Sequence, residues 1–486
     1  MIGKAMAAVA TLALLWLVYS AHLAGQPFVA LGLLVLGGSA IGVYASARTL
    51  AWKYLFPGVT GMLVFVAFPL LYTVQIGFTN YSSNHLLTED RARAYLLDQH
   101  GFDEARIHGF TLHAGGRMVL TAPDGARFTA AAGETALVPL QTDPGPALPM
   151  RDVIAARERL QALTLTLPDG TALSYAGLRE FGPKRPDWTA GPDGALVEAA
   201  TGTVWRADRA TGYFTSPGGE TLQPGFKVAI GFANYQRMLL DPDFRGPFVS
   251  IFGWTVTFAL LTVVFATAIG MLLAVLLEWS ALKGRAVYRT LLFLPYAVPG
   301  FISILVFKGL FNQNFGEINA ILDALFGIRP AWFADPTLAR TMLLIVNTWL
   351  GYPYIMILCT GLLKAIPSDL YEASALAGAS PWVNFTRITA PLIVGPLTPL
   401  LISAFAFNFN NFVLISLLTD GRPDYLNTKL PAGTTDILVS YTYRIAFTDA
   451  GANFGLAAAI STLIFAMVAV MALVQLRLTR GKAGGC

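Results

Sequence analysis

Three asparagines within four residues interrupt an otherwise apolar stretch of this chain. They lie in the sequence Phe407-Asn-Phe-Asn-Asn411, with apolar residues on both sides. A side-chain amide carries donors and an acceptor that an apolar environment cannot satisfy. The cluster therefore indicates either a polar ligand or hydrogen bonding between helices. On a continuous helix, Asn408 and Asn411 share a face, whereas Asn410 points elsewhere.

Two other apolar stretches carry residues of matching chemistry. Asn347, Gly351 and Tyr354 share one helical face by their spacing, and Tyr296 sits between two prolines that should interrupt a helix. Amides can bond sugar hydroxyls, aromatic rings pack against the C–H faces of a sugar, and glycine leaves room for the ligand. Together these residue types favour a sugar site.

A short charged segment, Tyr371-Glu-Ala-Ser-Ala-Leu-Ala-Gly378, lies between two apolar stretches. Pro367 and Ser368 suit the start of a helix, and Gly378 permits a sharp turn into a second short helix. We expect this hairpin at the membrane surface, where Glu372 would contact a soluble partner. A solvated surface helix without a partner is the alternative.

The composition is that of an integral membrane protein. Hydrophobic residues make up 55% and charged residues 13% of the chain, and the mean hydropathy is +0.57. About eight apolar runs without Lys, Arg, Asp or Glu are long enough to span a bilayer as helices. They cover residues 5–24, 28–47, 54–79, 249–277, 291–307, 341–363, 388–419 and 451–476.

The basic residues that flank these runs predict the orientation, because Lys and Arg stay on the cytoplasmic side. They fall in every second connection: Lys4, Arg48, Lys53, Lys283, Arg285, Arg289, Lys364, Arg387, Arg477, Arg480 and Lys482. Both termini are therefore predicted to be cytoplasmic. The first run could instead be a signal peptide cleaved near Ala24, which would leave the remaining topology unchanged.

Residues 80–245 form the one long polar connection and are predicted to be a soluble domain outside the cytoplasm, between membrane segments 1–79 and 246–486. Alternating stretches at 117–120, 163–167 and 203–206 predict strands, and the Pro-Asp-Gly sequences at 123, 168 and 192 predict turns. A helix is expected at 151–163. The fold class is thus an all-α polytopic membrane protein with an inserted β-rich domain.

The sequence predicts neither a metal site nor catalysis. The histidines of the polar connection, His85, His100, His108 and His113, lack zinc-ligand spacing. Cys359 lies in an apolar run and Cys486 is the last residue, so no disulfide is expected. Gly481 and Lys482 are followed by Ala and do not form a phosphate-binding loop. We expect no cofactor, no ATP hydrolysis by this chain and no nucleic-acid partner.

Two other protein classes share parts of this layout. A sensory receptor would need a cytoplasmic signalling domain, but no cytoplasmic connection exceeds about 30 residues. A proton-coupled sugar transporter should carry acidic residues or histidine deep in its spans, and only His22, at the edge of the first run, comes near this.

The charged segment resembles the E-A-A-x3-G-x9-I-x-L-P loop of permease subunits in binding-protein-dependent ABC importers. Glu372, Ala373, Gly378, Ile388 and Pro391 are in register. Ser374 and Ala390 depart from the pattern, but both are small. Residues 291–476 are similar to the maltose-transporter permease family, with specific phrases at 294–299, 347–354, 405–412 and 441–447.

This resemblance implies a type I importer core, a sugar site near the bilayer midplane, and a coupling loop at 364–390. The implied sugar-binding residues are Tyr296, Asn347, Leu350, Gly351, Tyr354, Phe407, Asn408 and Asn411. The implied coupling residues are Glu372, Ala373, Ser374, Gly378, Ile388 and Pro391. Gly300 stands where the family more often has Ser, so one hydroxyl contact is expected to be missing.

The resemblance also implies partners and a mechanism. These are a second, MalG-like permease subunit, two cytoplasmic MalK-like ATPase subunits, and a periplasmic sugar-binding protein, in the lipid bilayer of a bacterial inner membrane. ATP-driven closure of the ATPase subunits would reorient the permease by alternating access. Maltose and maltodextrins are the expected substrates, and other oligosaccharides stay open.

The predicted orientation can be tested with a reporter enzyme that is active only in the cytoplasm. Fusions after Cys486 or within 283–289 should be active, and fusions within 124–194 should be silent, because basic flanks resist translocation. Reporter activity at 124–194 would contradict the orientation.

Overall fold

The computed structural model describes residues 2–46, 48–131, 133–279, 281–426, 428, 431–448 and 452–483. The chain divides into two compact units. One comprises Met1–Thr79 together with Ile230–Cys486, and the other comprises Asn80–Ala229. The inserted unit therefore ends before the predicted boundary at residue 245, because residues 233–240 form an amphipathic helix that packs within the first unit.

The first unit opens with a helical hairpin and a long interrupted helix. Its helices are α1 (Ile2–Leu23), α2 (Pro27–Ala45), α3 (Leu50–Met62) and α4 (Phe68–Gly77), and a π-helical turn at Leu63–Ala67 joins the last two. Helix α4 packs closely on the last helix of the chain, since a Cβ at Gly77 would lie 3.2 Å from the Ala459 backbone. Glycine at this position permits the close approach.

The inserted unit is rich in antiparallel strands. Its helices are α5 (Glu89–Leu97), α6 (Met150–Ala155) and α7 (Arg157–Gln161), so the single helix predicted at 151–163 is wrong in detail and breaks at Ala156. Its strands are β1 (His100–Phe102), β2 (His108–Leu112), β3 (Met118–Thr121), β4 (Arg127–Ala130), β5 (Val138–Pro139), β6 (Thr164–Thr166), β7 (Ala172–Gly177), β8 (Glu180–Gly182), β9 (Lys184–Pro186), β10 (Trp188–Ala190), β11 (Leu196–Glu198), β12 (Val204–Asp208), β13 (Tyr213–Thr215) and β14 (Thr221–Leu222).

These strands form a seven-stranded sheet, β5-β4-β3-β2-β8-β7-β6, a five-stranded sheet, β10-β11-β12-β13-β14, and the pair β1-β9. Val153 and Leu160 from α6 and α7 pack with the buried residues of the larger sheet. Leu96 from α5 packs on Trp205 and Phe214 of the smaller sheet. The two larger sheets thus bury apolar side chains against helices. The strands predicted at 117–120, 163–167 and 203–206 correspond to β3, β6 and β12.

The chain then returns to the helical unit. The helices are α8 (Ala233–Leu240), α9 (Pro242–Glu278), α10 (Arg285–Leu292), α11 (Gly300–Leu310), α12 (Glu317–Phe326), α13 (Pro336–Leu363), α14 (Ser368–Leu376), α15 (Pro381–Asn384), α16 (Ala390–Phe409), α17 (Phe412–Leu418), α18 (Leu438–Phe447) and α19 (Phe454–Ala483). A 3₁₀ turn, Leu294–Tyr296, precedes α11, and a π-helical turn, Phe385–Thr389, joins α15 to α16.

Six helical stretches in the described part of the chain meet the length and apolarity needed to cross a membrane. Of the other two predicted runs, the second forms the 19-residue helix α2, and the fifth contains the shorter apolar helix Gly300–Leu310. In the fifth run, two prolines remove backbone donors and end the helical pattern early.

Helices α9 and α13 run side by side and form the centre of this unit. Gly270 permits their contact, because a Cβ there would lie 2.9 Å from the Ile355 side chain and the Met356 backbone nitrogen. Ala266, Ala274, Met356 and Cys359 are buried along the same seam. Small residues at the crossing let the two backbones approach closely. Close packing of this kind stabilises helix pairs in a membrane, where the hydrophobic effect does not drive helices together.

The connection between α17 and α18 is held by a buried ion pair. The Asp436 carboxylate is fully buried, and it accepts hydrogen bonds from Arg444 Nη1 at 2.8 Å, Ser440 Oγ at 2.8 Å and the Gly433 amide at 2.8 Å. Arg444 Nη2 also donates to Asp424 at 2.6 Å. Burial raises the pKa of Asp436 to about 6, and the Arg444 charge opposes this shift.

Removing the cation should be costly. Arg444→Met leaves a buried carboxylate without a positive partner, which destabilises proteins by about 3–5 kcal/mol. The pKa of Asp436 then moves further above its unfolded value. The loss of unfolding free energy caused by Arg444→Met should therefore be largest at pH 8. It should shrink as the pH falls to 5, because the Asp436 carboxylate becomes protonated.

Thermal unfolding of the detergent-solubilised protein at both pH values measures this effect. Arg422→Met is the matched control, because Arg422 is exposed and its side chain comes no closer than 4.0 Å to the Asp420 carboxylate. Adding Asp436→Asn to Arg444→Met should recover part of the loss. An equal loss at pH 5 and pH 8 would contradict the role given to the buried charge.

Candidate functional site

A break between α10 and α11 brings an aromatic ring into the middle of the helical unit. Helix α10 ends at Leu292, and the chain then forms the 3₁₀ turn and an extended residue at Pro299 before α11 begins. Tyr296 closes the turn and stacks on Phe293 with ring centroids 5.2 Å apart. The break follows from Pro295 and Pro299, which cannot donate helical hydrogen bonds.

A second break separates α16 from α17 at the asparagine cluster. Helix α16 ends at Phe409, Asn410 has non-helical backbone angles, and the Asn411 side chain accepts from the Leu414 amide at 3.4 Å as the cap of α17. Asparagine suits this cap because its side-chain oxygen replaces a lost backbone acceptor. Asn410 Nδ2 donates to Ala406 O at 3.2 Å.

The amide side chains form one hydrogen-bonded network. Asn347 Nδ2 donates to Asn408 Oδ1 at 2.7 Å and to Thr262 Oγ1 at 3.1 Å, while Asn411 Nδ2 donates to Asn347 Oδ1 at 3.2 Å. Asn347 and Asn408 are buried. The network joins α9, α13, α16 and α17, so hydrogen bonding between helices accounts for part of the cluster.

The two breaks and the network border a cavity of about 1070 Å³. Its walls come from α9, the 3₁₀ turn, α11, α13, α16 and α17. All eight residues predicted as sugar-binding line it: Tyr296, Asn347, Leu350, Gly351, Tyr354, Phe407, Asn408 and Asn411. Tyr296 and Tyr354 are half-exposed, and Phe407 is largely exposed, so their rings are available to a ligand.

The cavity also contains residues that sequence reasoning missed. Thr262, Thr267, Ser403 and Asn410 add polar groups, and Phe301 adds a further ring. Asn410 borders the cavity, but its side-chain amide donates to the Ala406 carbonyl rather than to Asn347, so the prediction that it points away from Asn408 and Asn411 stays a prediction. The sequence does not mark Thr262 and Thr267 as lining residues, since hydroxyl side chains in apolar helices commonly bond to the backbone of their own helix.

Thr267 differs from neighbouring threonines in α9. Thr255 and Thr257 each donate to the carbonyl four residues earlier, at 2.7 and 2.8 Å. The buried Thr267 Oγ1 has no hydrogen-bond partner among the described residues. A ligand hydroxyl in the cavity would satisfy it, because a buried polar group without a partner is costly.

Two glycines in the lining have different surroundings. A Cβ at Gly300 would meet no atom within 4 Å, so this position leaves open space where the family more often has Ser. A Cβ at Gly351 would contact the Ala266 side chain at 3.4 Å. Gly351 therefore serves the close approach of α13 to α9 as well as the cavity.

The predicted coupling segment is a helical hairpin. Helix α14 begins at Ser368 as expected, Gly378 turns the chain with a φ of +70°, and the Ser380 side chain caps α15. The second arm is not a separate short helix. It continues through the π-helical turn, which contains Ile388, into α16, where Pro391 is the second residue.

Polar contacts hold the arms of the hairpin together. Tyr371 Oη and Thr389 Oγ1 are 2.9 Å apart, and Ser374 Oγ donates to Asn384 Oδ1. Ser374 thus makes a contact that the alanine of the family pattern could not make.

The outward surface of the hairpin is partly apolar. Glu372 and Ala373 are exposed, and the hairpin also exposes Leu376, by 92%, and Trp382, by 71%. Large exposed apolar side chains around one charge are typical of a protein-binding surface.

The breaks, the cavity and the hairpin define a membrane transport component, and comparison with known proteins agrees. Residues 266–480 match the family of binding-protein-dependent transport system inner membrane components. Residues 87–231 match the P2 domain of the maltose transport system permease protein MalF.

The maltose/maltodextrin transport system permease proteins MalF of Photorhabdus laumondii subsp. laumondii and Escherichia coli (strain K12) are 50% and 49% identical to this chain, over 96% of it and 94% of each relative. The chain belongs to the MalF family of binding-protein-dependent transport permeases. The family resemblance and the fold class predicted from the sequence are thereby confirmed.

A solved structure is also similar. One chain of a bacterial alginate ABC transporter, in complex with an alginate pentasaccharide-bound periplasmic protein, is 23% identical, with a TM-score of 0.44 over 52% of this chain and 83% of that chain.

Proposed function

We propose that this chain is the permease subunit of a binding-protein-dependent ABC importer that carries maltose and maltodextrins across the bacterial inner membrane. The observation that carries this proposal is the cavity at the two helix breaks, lined by amides and aromatic rings. The MalF relatives are named for maltose and maltodextrin transport, which supports the choice of sugar.

The chemistry of the cavity suits a neutral sugar. Its described lining contains side-chain amides, hydroxyls and aromatic rings but no Asp, Glu, His, Lys or Arg. Proton-coupled transport normally needs an ionisable residue at such a depth, so the lining favours import driven by another subunit. The volume of about 1070 Å³ lies at the upper end of small-molecule sites.

The eight residues of the proposed sugar site have different roles. Tyr296, Tyr354 and Phe407 supply rings for the C–H faces of the sugar. Asn411, whose Nδ2 has a second N–H beyond its bond to Asn347, is suited to a sugar hydroxyl. Asn347 and Asn408 orient it through the network, and Leu350 and Gly351 complete the α13 wall.

The predicted membrane orientation of the chain suggests where each proposed partner would bind. A periplasmic sugar-binding protein would deliver the sugar from the side of the inserted unit, and a MalG-like permease would complete the pathway. Two MalK-like ATPase subunits would bind the hairpin through Glu372 and the apolar side chains beside it. Both termini and the hairpin would then be cytoplasmic, as the basic flanking residues predict.

The chain itself would contribute movement rather than chemistry. Closure of the ATPase subunits would push α14, and Gly378 and the contacts of Tyr371 and Ser374 would pass this push to α16. Helix α16 ends at the cavity, so its displacement would change access to the sugar. Alternating access needs such a connection between the partner surface and the site.

The sugar site can be tested by Asn411→Ala and Tyr354→Ala. Each removes a hydrogen bond or a ring contact worth about 1 kcal/mol, so maltose uptake should fall about five-fold or more at limiting sugar. Uptake is measured with the assembled complex in proteoliposomes. ATPase stimulation by the loaded binding protein should stay near the wild-type level.

Phe465→Ala is the matched control, because Phe465 is a half-exposed ring of α19 outside the cavity lining. Its uptake should equal that of the wild type. Wild-type uptake in both Asn411→Ala and Tyr354→Ala would show that the amides and rings serve only helix packing.

The coupling surface can be tested by charge reversal. Glu372→Lys should release the ATPase subunits more than Glu372→Ala, because like charges across an interface cost several kcal/mol while truncation loses only the favourable contact. Co-purification of the ATPase subunits measures this difference, and uptake should fall with it.

Lys283→Glu is the control for reversing a charge in a predicted cytoplasmic connection outside the hairpin, and it should keep the ATPase subunits bound. If the Glu372→Lys complex retains both the ATPase subunits and normal uptake, the hairpin is not the coupling element.

A further inference from the structure

One carboxylate joins three elements at the inner end of the helical unit. Glu278 is the last residue of α9, and its Oε1 accepts a hydrogen bond from Arg289 Nη2 at 2.9 Å. The same oxygen lies 3.8 Å from Lys364 Nζ. Arg289 belongs to α10, and Lys364 directly follows α13.

Acidic residues are rare on this side of the protein. The predicted cytoplasmic connections contain only Glu278, Asp369 and Glu372, against many Lys and Arg residues. Among the described residues of these connections, Glu278 is the acid that pairs with cations from two other elements. Its side chain is 25% exposed, so it is neither free in solvent nor deeply buried.

The three joined elements lead to the two sites described above. Helix α9 carries Thr262 and Ala266 in the cavity wall, and α10 runs into the turn that presents Tyr296. Lys364 lies four residues before Ser368, where the coupling helix α14 begins. Glu278 is therefore bonded to the connections that lead into both sites.

One further polar contact, the hydrogen bond from Tyr352 Oη to Leu292 O at 2.9 Å, also links α13 to the end of α10. Leu277, Leu282, Leu292, Leu363 and Ile366 belong to one apolar cluster. Apolar packing of this kind has no preferred direction and permits small sliding movements. The hydrogen bond between Arg289 and Glu278 is directional, so while it is formed it favours one position of α10 relative to α9.

Exposure limits how strongly these pairs can contribute to stability. The side chains of Arg289 and Lys364 are 43% and 60% exposed. Ion pairs of this kind are weak and can exchange partners during a conformational cycle. Weak ion pairs are better suited to an element that moves than to one that stabilises the fold.

We propose that Glu278 is a positioning residue that links displacement of the coupling hairpin to the cavity wall through Arg289 and Lys364. The inference rests on the proposed transport function. It gives Glu278 no contact with the sugar and no contact with the ATPase subunits.

The test uses the assembled complex in proteoliposomes and compares maltose transported per ATP hydrolysed. Glu278→Gln should lower this ratio about two- to five-fold, the range that a partly exposed ion pair can supply. The apparent KM for loaded binding protein and the amount of bound ATPase subunits should not change. Glu278→Asp keeps the charge and should recover much of the ratio.

A double-variant cycle separates the effect of the Glu278–Arg289 pair from independent effects of the two substitutions on the transport ratio. If Glu278 acts through Arg289, Glu278→Gln combined with Arg289→Gln should be no worse than Glu278→Gln alone. Lys283→Gln is the matched control, because it removes a cation from the same connection outside the three-residue cluster. It should keep the wild-type ratio.

An unchanged ratio in Glu278→Gln, strictly additive effects in the double variant, or failure of Glu278→Gln to assemble would each overturn the positioning role. A wild-type complex that hydrolyses ATP with loaded binding protein yet moves no maltose would instead overturn the proposed function. The two failures are therefore distinguishable.

Discussion

Within the apolar interior of a bilayer, a backbone or amide group without a partner is costly, and this constraint organises the helical unit. The chain breaks its helices at Pro295 and Pro299 and again at Asn410 and Asn411. Both breaks face the same cavity, where the freed groups bond to one another or lie beside space for a ligand. The Asn347 network satisfies three amides and in doing so fixes the walls around that space. In the proposed function, the same hydrogen bonds would hold the helices together and position the groups that bind the sugar.

The hairpin is connected to the cavity by its second arm, which is helical throughout. Helix α15 continues through a π-helical turn into α16, which ends at the asparagine cluster, whereas residues 364–367 separate α13 from α14. In the proposed mechanism, a displacement of the hairpin would reach the cavity through this helical arm. The glycine contact between Gly270 and Ile355 keeps α9 and α13 as one body. Glu278 adds a charged contact at the base of this body.

The connection between α17 and α18 depends on a different balance of interactions. Asp436 is fully buried, and its charge is tolerated because Arg444, Ser440 and the Gly433 amide all donate to it. A Cβ at Gly421 would overlap this carboxylate, so the local chain requires glycine there. The buried pair fixes the geometry of the connection that follows the cavity in the chain, whereas the weak pairs of Glu278 suit a part that moves.

The sequence by itself determined the class, the family, the position of the β-rich insertion and the eight residues that came together in the cavity, because hydropathy, charge and the asparagine and E-A-A-like motifs are local patterns. It did not determine where helices stop inside an apolar run: the fifth run broke at its prolines, and α16 ended at Phe409 within the asparagine cluster. Thr267, Ser403 and Glu278 acquired their roles only from neighbours far away in the chain. Tertiary structure decided these points, since a hydroxyl without a partner or a carboxylate between two cations exists only after the helices have packed.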